Sequence, residues 1–417
     1  MPSFSSSGIN KRSCPICGGS EHQVLFQLES TPLGDRFTES EAEALLLPRW
    51  PIEVVKCIQC NHCYHPYLTD PDDIYLEYLF VTSQSPGLVE SFKEIVFDII
   101  SRRNLSANDI ILDIGGNDGS WLGFFSSHGC NVVAVEPAPI PAKLAMEKGI
   151  PVIQDYFSEK SLRASNLVSK APRIISLNYI FANISQPMAM LQEIADISDE
   201  NTIVSFLTGY HPAQLAVSMF DYINHDHLSY FSCSDFSRMA NSIGFIVTYA
   251  REVPLKGGSI HIEMQRIGEG RKQSELFSTM LKREMFLNQP ANVQWRQTKE
   301  KICHTRDLIS SEISVARDNG LTIIGYGASI STTTLLYALG IESMIDFVVD
   351  DNPSKCGRFS PGTAVPVMPS KLINSELGAC VILLAWQHGP RIRQSLKSSG
   401  FKGQVITPFP TFTIEQL

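Results

Sequence analysis

The stretch Ile110-Ile-Leu-Asp-Ile-Gly-Gly-Asn-Asp-Gly119 decides the fold, because a short apolar run passes directly into a glycine-rich turn. Asp113 lies near the end of the apolar run, and Gly115, Gly116 and Gly119 follow it. Glycine lets a backbone turn sharply, pass close under a ligand and bring a helix near a strand. The pattern therefore predicts a buried strand, a ligand-binding turn and a helix that begins at the turn.

A second acid ends the next apolar run, Val132-Val-Ala-Val-Glu136, and it follows Asp113 by 23 residues. A carboxylate at that place can accept hydrogen bonds from both hydroxyls of a ribose. A dinucleotide-binding turn needs the spacing G-x-G-x-x-G, whereas this turn, which includes Asn117, reads G-G-N-D-G. An acid before the turn is typical of sites for S-adenosylmethionine (SAM). We expect SAM to bind here, with Pro137 among its contacts; a nicotinamide cofactor and a purely structural turn are the alternatives.

Two later segments extend the expected cofactor site. Asp155-Tyr156-Phe157 follows the third apolar run, where an acid and an aromatic ring can hold adenine. Phe157 fits the core equally well, whereas a carboxylate such as Asp155 is seldom a core group. Asn178 closes the fourth run, which predicts that it lies near the methionine end of SAM.

Two cysteine pairs near the N-terminus, Cys14-Pro-Ile-Cys17 and Cys57-Ile-Gln-Cys60, have the spacing of a zinc site. Two residues between cysteines let both thiolates face one ion, and two such pairs complete a tetrahedron. Gly18 and Gly19 suit a tight turn after the first pair. Four thiolates leave no open position on the metal, so we expect the zinc to be structural.

Other ligand sets compete with this one. Cys60-Asn-His-Cys63 is a further pair with the same spacing, and His62 and His65 are alternative ligands. Unrelated buried thiols are the remaining interpretation. We expect Cys57 and Cys60 to complete the site.

The alternation of short apolar runs with helical patterns predicts mostly parallel sheets covered on both faces. The expected fold is α/β, with a class I SAM methyltransferase (Rossmann-like) middle domain, a small N-terminal zinc-binding domain and a second Rossmann-like C-terminal domain. We place the three domains at residues 1–80, 81–268 and 269–417. The middle runs are 110–114, 132–135, 174–177, 202–206 and 245–248, and the later ones are 321–324, 345–349 and 380–384.

Composition limits the classes of partner and location. The 417 residues carry a net charge of -9, and the lysines and arginines form no basic stripe, so we expect no nucleic-acid partner. No uninterrupted apolar segment approaches the roughly 18 residues that cross a membrane. The N-terminal segment has no apolar core of a signal peptide. We therefore expect a cytoplasmic protein that acts on a small molecule.

A concentrated acid/base segment lies at residues 220–232, which contain His225, Asp226 and His227 in succession. Methylation at carbon needs a base that removes a proton beside a carbonyl and a group that stabilises the resulting enolate. A histidine supported by a neighbouring carboxylate suits the first task. The alternative is a polar loop whose histidines only cap or pack.

The chain resembles, nearly end to end, the nucleotide-sugar C-methyltransferases of deoxysugar biosynthesis, which act on dTDP-linked 4-keto-6-deoxysugars. Besides the cysteine pairs and the glycine turn, five family motifs have counterparts here. They are Y-H-E-H-L-S-Y-F at 224–231, G-G-S at 257–259, G-Y-G-A at 325–328, D-x-x-P-x-K-x-G-x-x-x-P-G at 350–362 and A-W at 385–386.

The resemblance implies that SAM binds the middle domain and that the sugar nucleotide lies between the middle and last domains. It also implies that His227 is the base, with Asp226 in place of the family's Glu and expected to orient the ring. An active-site tyrosine of the family falls on Tyr75 or Tyr78. The run that begins at Tyr78 favours Tyr78 and would put Phe80 in place of a second tyrosine.

Several positions depart from the family pattern. The tyrosine before H-E-H is Asn224, the histidine of N-V-F-A-H is Asn183, and a lysine usual after G-Y-G-A is Ser331. The acid of a family E-V-P on the fifth strand is replaced within 204–207. All of them lie near the expected substrate cleft, so SAM use follows from the resemblance whereas the acceptor does not.

We expect C-methylation of a nucleotide-linked keto sugar through an enolate, with Tyr78 and Asn224 contacting the sugar oxygens. The second hypothesis is O- or N-methylation of a related sugar nucleotide or another small molecule. The third is a zinc-stapled scaffold that binds a nucleotide or a partner without turnover.

The last domain leaves two interpretations open. Gly325-Tyr-Gly327 could bind a phosphate through backbone amides at a helix start, or form only a tight turn. Lys355 and Arg358 are candidate phosphate contacts or solvated surface.

Overall fold

The computed structural model describes residues 11–75, 80–286, 291–374 and 378–417. The N-terminal region is a small antiparallel sheet with two short helices. Its elements are β1 (His22–Thr31), α1 (Glu41–Leu46), β2 (Trp50–Cys57), β3 (Cys63–Tyr64) and α2 (Pro71–Tyr75).

The middle region alternates strands and helices as the apolar runs predict. It comprises α3 (Pro86–Arg103), β4 (Ile110–Ile114), α4 (Ser120–Ser127), β5 (Asn131–Val135), α5 (Pro139–Glu147), β6 (Val152–Ile153), α6 (Glu159–Ser165), β7 (Ile174–Asn178), α7 (Pro187–Asp196), β8 (Ile203–Gly209), α8 (His211–Ala216), β9 (Ser229–Tyr230), α9 (Cys233–Ser242), β10 (Phe245–Val253) and β11 (Ser259–Arg266).

Seven of these strands form one sheet in the order β10-β11-β8-β7-β4-β5-β6. Strands β4 to β8 pair in parallel, whereas β11 runs antiparallel to both of its neighbours. This is the arrangement of the class I SAM methyltransferase fold. The carboxyl ends of β4, β5 and β7 meet at one edge, which is where parallel α/β sheets bind ligands.

Two helices lead into a second α/β unit. The elements are α10 (Glu275–Phe286), α11 (Ala291–Asp318), β12 (Thr322–Tyr326), α12 (Ile330–Leu339), β13 (Phe347–Asp350), β14 (Val367–Pro369), β15 (Ala379–Leu383), α13 (Gly389–Ser398), β16 (Gln404–Thr407) and β17 (Thr413–Gln416). The sheet order is β14-β13-β12-β15-β16-β17, parallel except at β17. The predicted α/β fold class is confirmed.

The three regions share structure across the predicted boundaries. Strand β9 of the middle region pairs with β3, so the N-terminal sheet takes its fourth strand from residues 229–230. One hydrophobic core includes Phe26 of β1, Trp295 of α11 and the buried strands of the last sheet. The segment just before β9 is therefore held where all three regions meet. In the described parts of the chain, no helix combines the length and apolarity that a membrane span requires.

Candidate active site

The glycine turn after β4 is required by close packing of the protein on itself. Gly115 has a φ of +75°, and a Cβ there would lie 2.5 Å from Cγ2 of Ile180. A Cβ on Gly116 would lie 2.8 Å from that of Ala134, and Gly119 also has a positive φ of 73°. The sequence explained these glycines by a ligand that passes close to the backbone. The structure shows that neighbouring side chains also need this space.

Asp113 is buried at the carboxyl end of β4 and is held by two donors. Its Oδ1 accepts hydrogen bonds from Ser176 Oγ at 2.6 Å and from Asn178 Nδ2 at 3.1 Å. Burial raises the pKa of Asp113 to about 7, and these hydrogen bonds oppose the shift. Asp113 therefore fixes Asn178 at the sheet edge. Asn178 Oδ1 is buried and has no hydrogen-bond partner within the described residues.

Glu136 lies on the neighbouring strand end with its carboxylate held against the turn. Its Oε2 accepts from the backbone N–H of Asn117 and its Oε1 from that of Ala138, both at 2.8 Å. Burial raises the pKa of Glu136. Each oxygen keeps a second lone pair that a ribose hydroxyl can use. Pro137, half-buried, follows directly.

The Asn117 side chain joins the turn to the segment that carries Phe80. Its Oδ1 accepts from the backbone N–H of Thr82 at 2.8 Å, and its Nδ2 donates to the Phe80 carbonyl at 3.1 Å. The next residue, Asp118, accepts from the Ser83 backbone N–H at 3.1 Å. Sequence reasoning missed Asp118, although an acid inside the turn was visible. Asn117 acts here as a link between the turn and residues 80–83.

The expected adenine side is open. Asp155 and Tyr156 are exposed beyond β6, and the Tyr156 hydroxyl donates to Asp72 Oδ1 of α2 at 2.8 Å. Phe157 packs partly buried against the middle core, which supports the core interpretation for that ring. The edge of the sheet thus presents a pair of carboxylates, an unpaired amide oxygen and an exposed aromatic ring, and this donor and acceptor set fits SAM.

His227 is half-buried and its ring is oriented by a backbone carbonyl. Its Nδ1 lies at hydrogen-bonding distance from the Tyr222 carbonyl oxygen. A carbonyl can only accept, so Nδ1 carries the hydrogen and Nε2 is left with a free lone pair. Asn224 Oδ1 also accepts the backbone N–H of His227 at 3.1 Å.

Asp226 does not orient His227 as the sequence predicted, since no hydrogen bond joins their side chains in the described structure. Its Oδ1 is buried without a partner. Burial raises the pKa of Asp226, while the nearby His227 and Lys256 lower it. Asp226 therefore affects the site through the charge of its buried carboxyl group and not through a hydrogen bond to His227.

The other two predicted residues of this segment face the protein. Asn224 is 2% exposed and its Nδ2 donates to the Tyr222 carbonyl at 3.2 Å, which suits positioning of the loop better than contact with a sugar. His225 is 3% exposed and bonds through Nε2 to the Trp50 carbonyl at 3.1 Å. Burial lowers the pKa of His225 to about 4, so this ring is a neutral packing group.

Of the two candidate tyrosines, Tyr75 lies within the described residues, and the preference for Tyr78 stays a prediction. Tyr75 accepts a hydrogen bond from Asn183 Nδ2 at 3.0 Å. Burial raises the pKa of Tyr75, and the Asp226 carboxylate adds to the shift. Tyr78 lies outside the described residues. Asn183 Oδ1 is buried without a partner among the residues described.

Lys256 is a functional candidate that sequence reasoning missed, although it directly precedes the G-G-S motif. Its Nζ lies 3.8 Å from the centroid of the Tyr179 ring and 6.0 Å from that of Phe80. Lys256 is an exposed residue, and desolvation of its ammonium group by the neighbouring protein lowers the pKa of Lys256 to about 8. The carboxylate of Asp226 opposes the shift.

The loop that carries His227 is anchored by the last domain. Asp221 is fully buried, and its Oδ2 accepts from Trp386 Nε1 at 2.9 Å and from Gln387 Nε2 at 2.8 Å. Thr334 of α12 donates its hydroxyl to the Ile223 carbonyl at 2.6 Å. The A-W motif thus holds the residue next to Tyr222.

The N-terminal region anchors the other end of the loop. The Leu228 carbonyl accepts from Arg12 Nη2 at 2.7 Å and from the backbone N–H of His65 at 3.1 Å. The Leu228 N–H donates to the Ala182 carbonyl of the middle region at 2.8 Å. All three regions therefore fix the position of His227.

The two basic residues that were candidates for binding a phosphate instead link the last domain to the N-terminal region. Lys355 Nζ lies 2.7 Å from Asp35 Oδ1 and donates to the Ala328 carbonyl at 2.8 Å. Arg358 Nη1 donates to the Phe37 carbonyl at 3.2 Å. Both residues therefore bind groups of the N-terminal region, which packs on this face. They match neither of the two interpretations, a phosphate contact or a solvated surface. Ser331 is half-buried in the first turn of α12.

The four predicted cysteines form one cluster. The Sγ atoms of Cys14, Cys17, Cys57 and Cys60 all lie within 4.8 Å of one another. Cys14 to Cys60 and Cys17 to Cys57 are each 3.5 Å apart, close to the roughly 3.8 Å edge of a tetrahedron with zinc–sulfur bonds of about 2.3 Å. The donors and their arrangement fit a structural zinc.

The competing ligands have other partners. Cys63 is buried in β3 outside the cluster. His62 Nδ1 pairs with Asp235 at 3.1 Å and its Nε2 with Ser229 Oγ at 3.3 Å, and His65 Nδ1 accepts the Tyr67 N–H at 3.2 Å. His62 thereby ties the cysteine module to α9 of the middle region.

We predict one zinc per chain, held by Cys57 and not by Cys63. Cys57→Ser should lower the metal content after dialysis against a mild chelator to well below half of one equivalent, because three ligands bind more weakly than four. Cys63→Ser is the matched control and should keep about one equivalent. Metal analysis by mass spectrometry checks both. Loss of zinc from the Cys63 variant alone would contradict the assignment.

We also predict that Glu136 carries a large part of the affinity for SAM. Glu136→Gln should weaken binding by about tenfold or more, because hydrogen bonds to a charged acceptor contribute roughly 1.5–3 kcal/mol. Isothermal titration calorimetry gives the dissociation constant. Glu147→Gln, the same substitution at an exposed position of α5, should leave it unchanged. Equal affinities for the two variants would rule out this role.

Known proteins match the chain over most of its length. A family model described as a methyltransferase domain matches residues 90–250, and one described as a C-methyltransferase C-terminal domain matches residues 254–410. The C-methyltransferase NovU of Streptomyces niveus is 24% identical over 401 residues, which are 95% of this chain and 95% of that protein.

Solved structures share a loose likeness with less than half of the chain. Magnesium protoporphyrin IX methyltransferase ChlM from Synechocystis PCC 6803 with bound SAH is 13% identical, with a TM-score of 0.36, and covers 47% of this chain and 92% of its own. A SAM-dependent methyltransferase from Clostridium acetobutylicum ATCC 824 is 10% identical, with a TM-score of 0.34, over 43% and 92%. The matched family models, the end-to-end relative and the strand order of the middle sheet identify the chain as a SAM-dependent C-methyltransferase.

Proposed function

We propose that this enzyme methylates a carbon beside the ketone of a nucleotide-linked 4-keto-6-deoxysugar. The observation that carries the proposal is the contact between His227 Nδ1 and the Tyr222 carbonyl. It leaves Nε2 as an oriented proton acceptor, which carbon methylation needs and methylation of a nucleophilic oxygen needs less.

The chemistry of this chain's residues follows from that contact. His227 Nε2 accepts a proton from the carbon beside the ketone, and the electrons of the broken C–H bond move to the ketone oxygen, which becomes an enolate. SAM, when bound, supplies an electrophilic methyl group to the carbon. The Tyr222 carbonyl then stabilises the charged ring that His227 has become.

Unpaired acceptor oxygens near the base suit a polyhydroxylated substrate. Asn183 Oδ1 and Asp226 Oδ1 are buried and have no partner among the described residues. Buried polar atoms are normally hydrogen-bonded, so a ligand that brings donors matches this site. Sugar hydroxyls are such donors.

The last domain has a candidate nucleoside site whose arrangement matches that of the SAM turn. Asp350 ends β13, and its Oδ2 accepts from the Ala328 N–H at 2.6 Å after the G-Y-G turn. Glu136 holds Asn117 in the same way in the middle domain. An acid at this position of an α/β sheet binds sugar hydroxyls of nucleotides, which favours a nucleoside here over the phosphate first considered.

A hydrogen bond between side chains joins the last domain to the segment that precedes α3. Asn352 Nδ2 donates to Gln84 Oε1 at 3.2 Å. Residues 80–83 are fixed to the SAM turn by Asn117 and Asp118. A nucleoside at Asp350 would thus lie across this segment from SAM.

Incubation with methyl-labelled SAM and a panel of dTDP-linked 4-keto-6-deoxysugars tests the proposal directly. We expect one acceptor to gain the label on a carbon next to the ketone, located by NMR. Label on oxygen or nitrogen would overturn the proposal, as would transfer to none of the keto sugars.

The base is tested by His227→Asn, which should lower kcat by about 10²- to 10⁴-fold because proton removal loses its acceptor. The affinity for SAM should stay unchanged in calorimetry. His225→Asn changes the neighbouring buried histidine and should retain most of the activity. Near-normal turnover by the His227 variant would show that this ring is not the base.

The anchoring of the loop predicts a remote effect on kcat. Trp386→Phe removes the Nε1–H that holds Asp221, so kcat should fall by about tenfold or more through misplacement of His227, without weaker SAM binding. Trp295→Phe is the matched control, since its buried Nε1 has no partner in the described chain. Equal kcat values for the two variants would show that the A-W contact does not position the base.

A further inference from the structure

The Lys256 ammonium group is held near Tyr179 and Phe80, which adjoin the residues of the cofactor edge. Its Nζ lies over the Tyr179 ring at 3.8 Å, and the Tyr179 hydroxyl donates to Ser259 Oγ at 3.0 Å. The Lys256 carbonyl accepts from Gln214 Nε2 at 3.0 Å. The ammonium group is therefore supported by an aromatic ring and by a fixed backbone.

The backbone around Lys256 is held in an unfavourable conformation. Lys256 has a φ of +48°, and Gly257 and Gly258 follow with φ values of +73° and +126°. A Cβ on Gly257 would lie 1.9 Å from Met219 Sδ, so only glycine fits. A side chain held at positive φ is strained, and such strain persists where the surroundings impose it, often at functional sites.

Lys256 brings a positive charge close to the residues that are expected to hold the methionine end of SAM. Tyr179 directly follows Asn178, the residue expected near the methionine end of SAM. SAM carries a positive sulfonium, and a second cation near it is repelled. Asp226 acts on Lys256 through space and compensates part of this charge. An enolate formed between the two cations would satisfy both.

We infer that Lys256 is a catalytic residue that stabilises the enolate oxygen formed when His227 removes the proton. This inference rests on the proposed function. The proton passes to His227 Nε2, the electron pair of the C–H bond moves to the ketone oxygen, and Lys256 Nζ donates a hydrogen bond to that oxygen. Preorganised donors of this kind contribute about 10²- to 10³-fold to a rate.

In this chain, a group that stabilises the enolate has to come from a position other than those used by the resembled family. Asn183 and Asn224 stand where the resembled family has a histidine and a tyrosine, so two side chains able to stabilise an enolate are absent from those positions. Lys256 supplies the positive charge from a different loop. Desolvation lowers the pKa of Lys256 only to about 8, which leaves most of the group charged at neutral pH.

Hydrogen exchange in D₂O isolates enolate formation from methyl transfer. The enzyme is saturated with S-adenosylhomocysteine and given the dTDP-4-keto-6-deoxysugar of the panel that serves as acceptor, and NMR follows loss of the hydrogen beside the ketone. Lys256→Met should slow exchange by about 100-fold, and Lys256→Arg should recover part of the rate. Lys143→Met, an exposed lysine of α5, should exchange at the normal rate.

The outcomes separate this inference from the proposed function. Normal exchange by Lys256→Met overturns the role, and if the same variant has a raised KM for the sugar nucleotide, Lys256 binds the substrate in its ground state instead. Absence of exchange by the unsubstituted enzyme also overturns the role. NMR of the methylated product then decides the proposed function separately, because a methyl group on carbon upholds it and one on oxygen does not.

Discussion

The contact between the Tyr222 carbonyl and His227 Nδ1 is the interaction on which the rest of this structure depends. A neutral histidine has one nitrogen that donates and one that accepts, and the carbonyl decides which is which. It leaves the lone pair of Nε2 free to accept a proton. In the proposed mechanism the other elements of the site place SAM, the acceptor or a compensating charge around this one proton acceptor.

All three regions of the chain help to hold this contact in place. Asp221 is bonded to Trp386 and Gln387 of the last domain, and the Leu228 carbonyl is bonded to Arg12 of the N-terminal region. Strand β9 begins one residue later and completes the sheet next to the cysteine cluster. The N-terminal module and the last domain are therefore parts of the active site, since they fix the loop that the middle domain alone would leave with fewer anchors.

Much of the fold and of the cofactor edge was predictable because local pattern determines it. Apolar runs that end in Asp113 and Glu136 become strand ends, and parallel strands bring their carboxyl ends together. Cysteine spacing likewise identified the cluster at Cys14 and Cys60. In each case the signal lies within a few residues of the group that performs the task.

The remaining features depend on contacts between segments far apart in the chain, and a single sequence does not show these. Lys355 and Arg358 resembled phosphate ligands, but Asp35 and the Phe37 carbonyl occupy them once the N-terminal region docks. Asp226 adjoins His227 in sequence, yet the ring is oriented by a carbonyl five residues away. Lys256 comes to the cleft only through the β10–β11 turn.

The ring tautomer of His227 is the most direct test of this account. Nitrogen-15 NMR of the histidine-labelled enzyme at pH 8, with His227→Asn as the assignment control, distinguishes the two neutral forms. The account predicts a hydrogen on Nδ1 and a bare Nε2. A spectrum in which Nε2 carries the hydrogen would contradict it, because the nitrogen proposed as the base could then accept no proton.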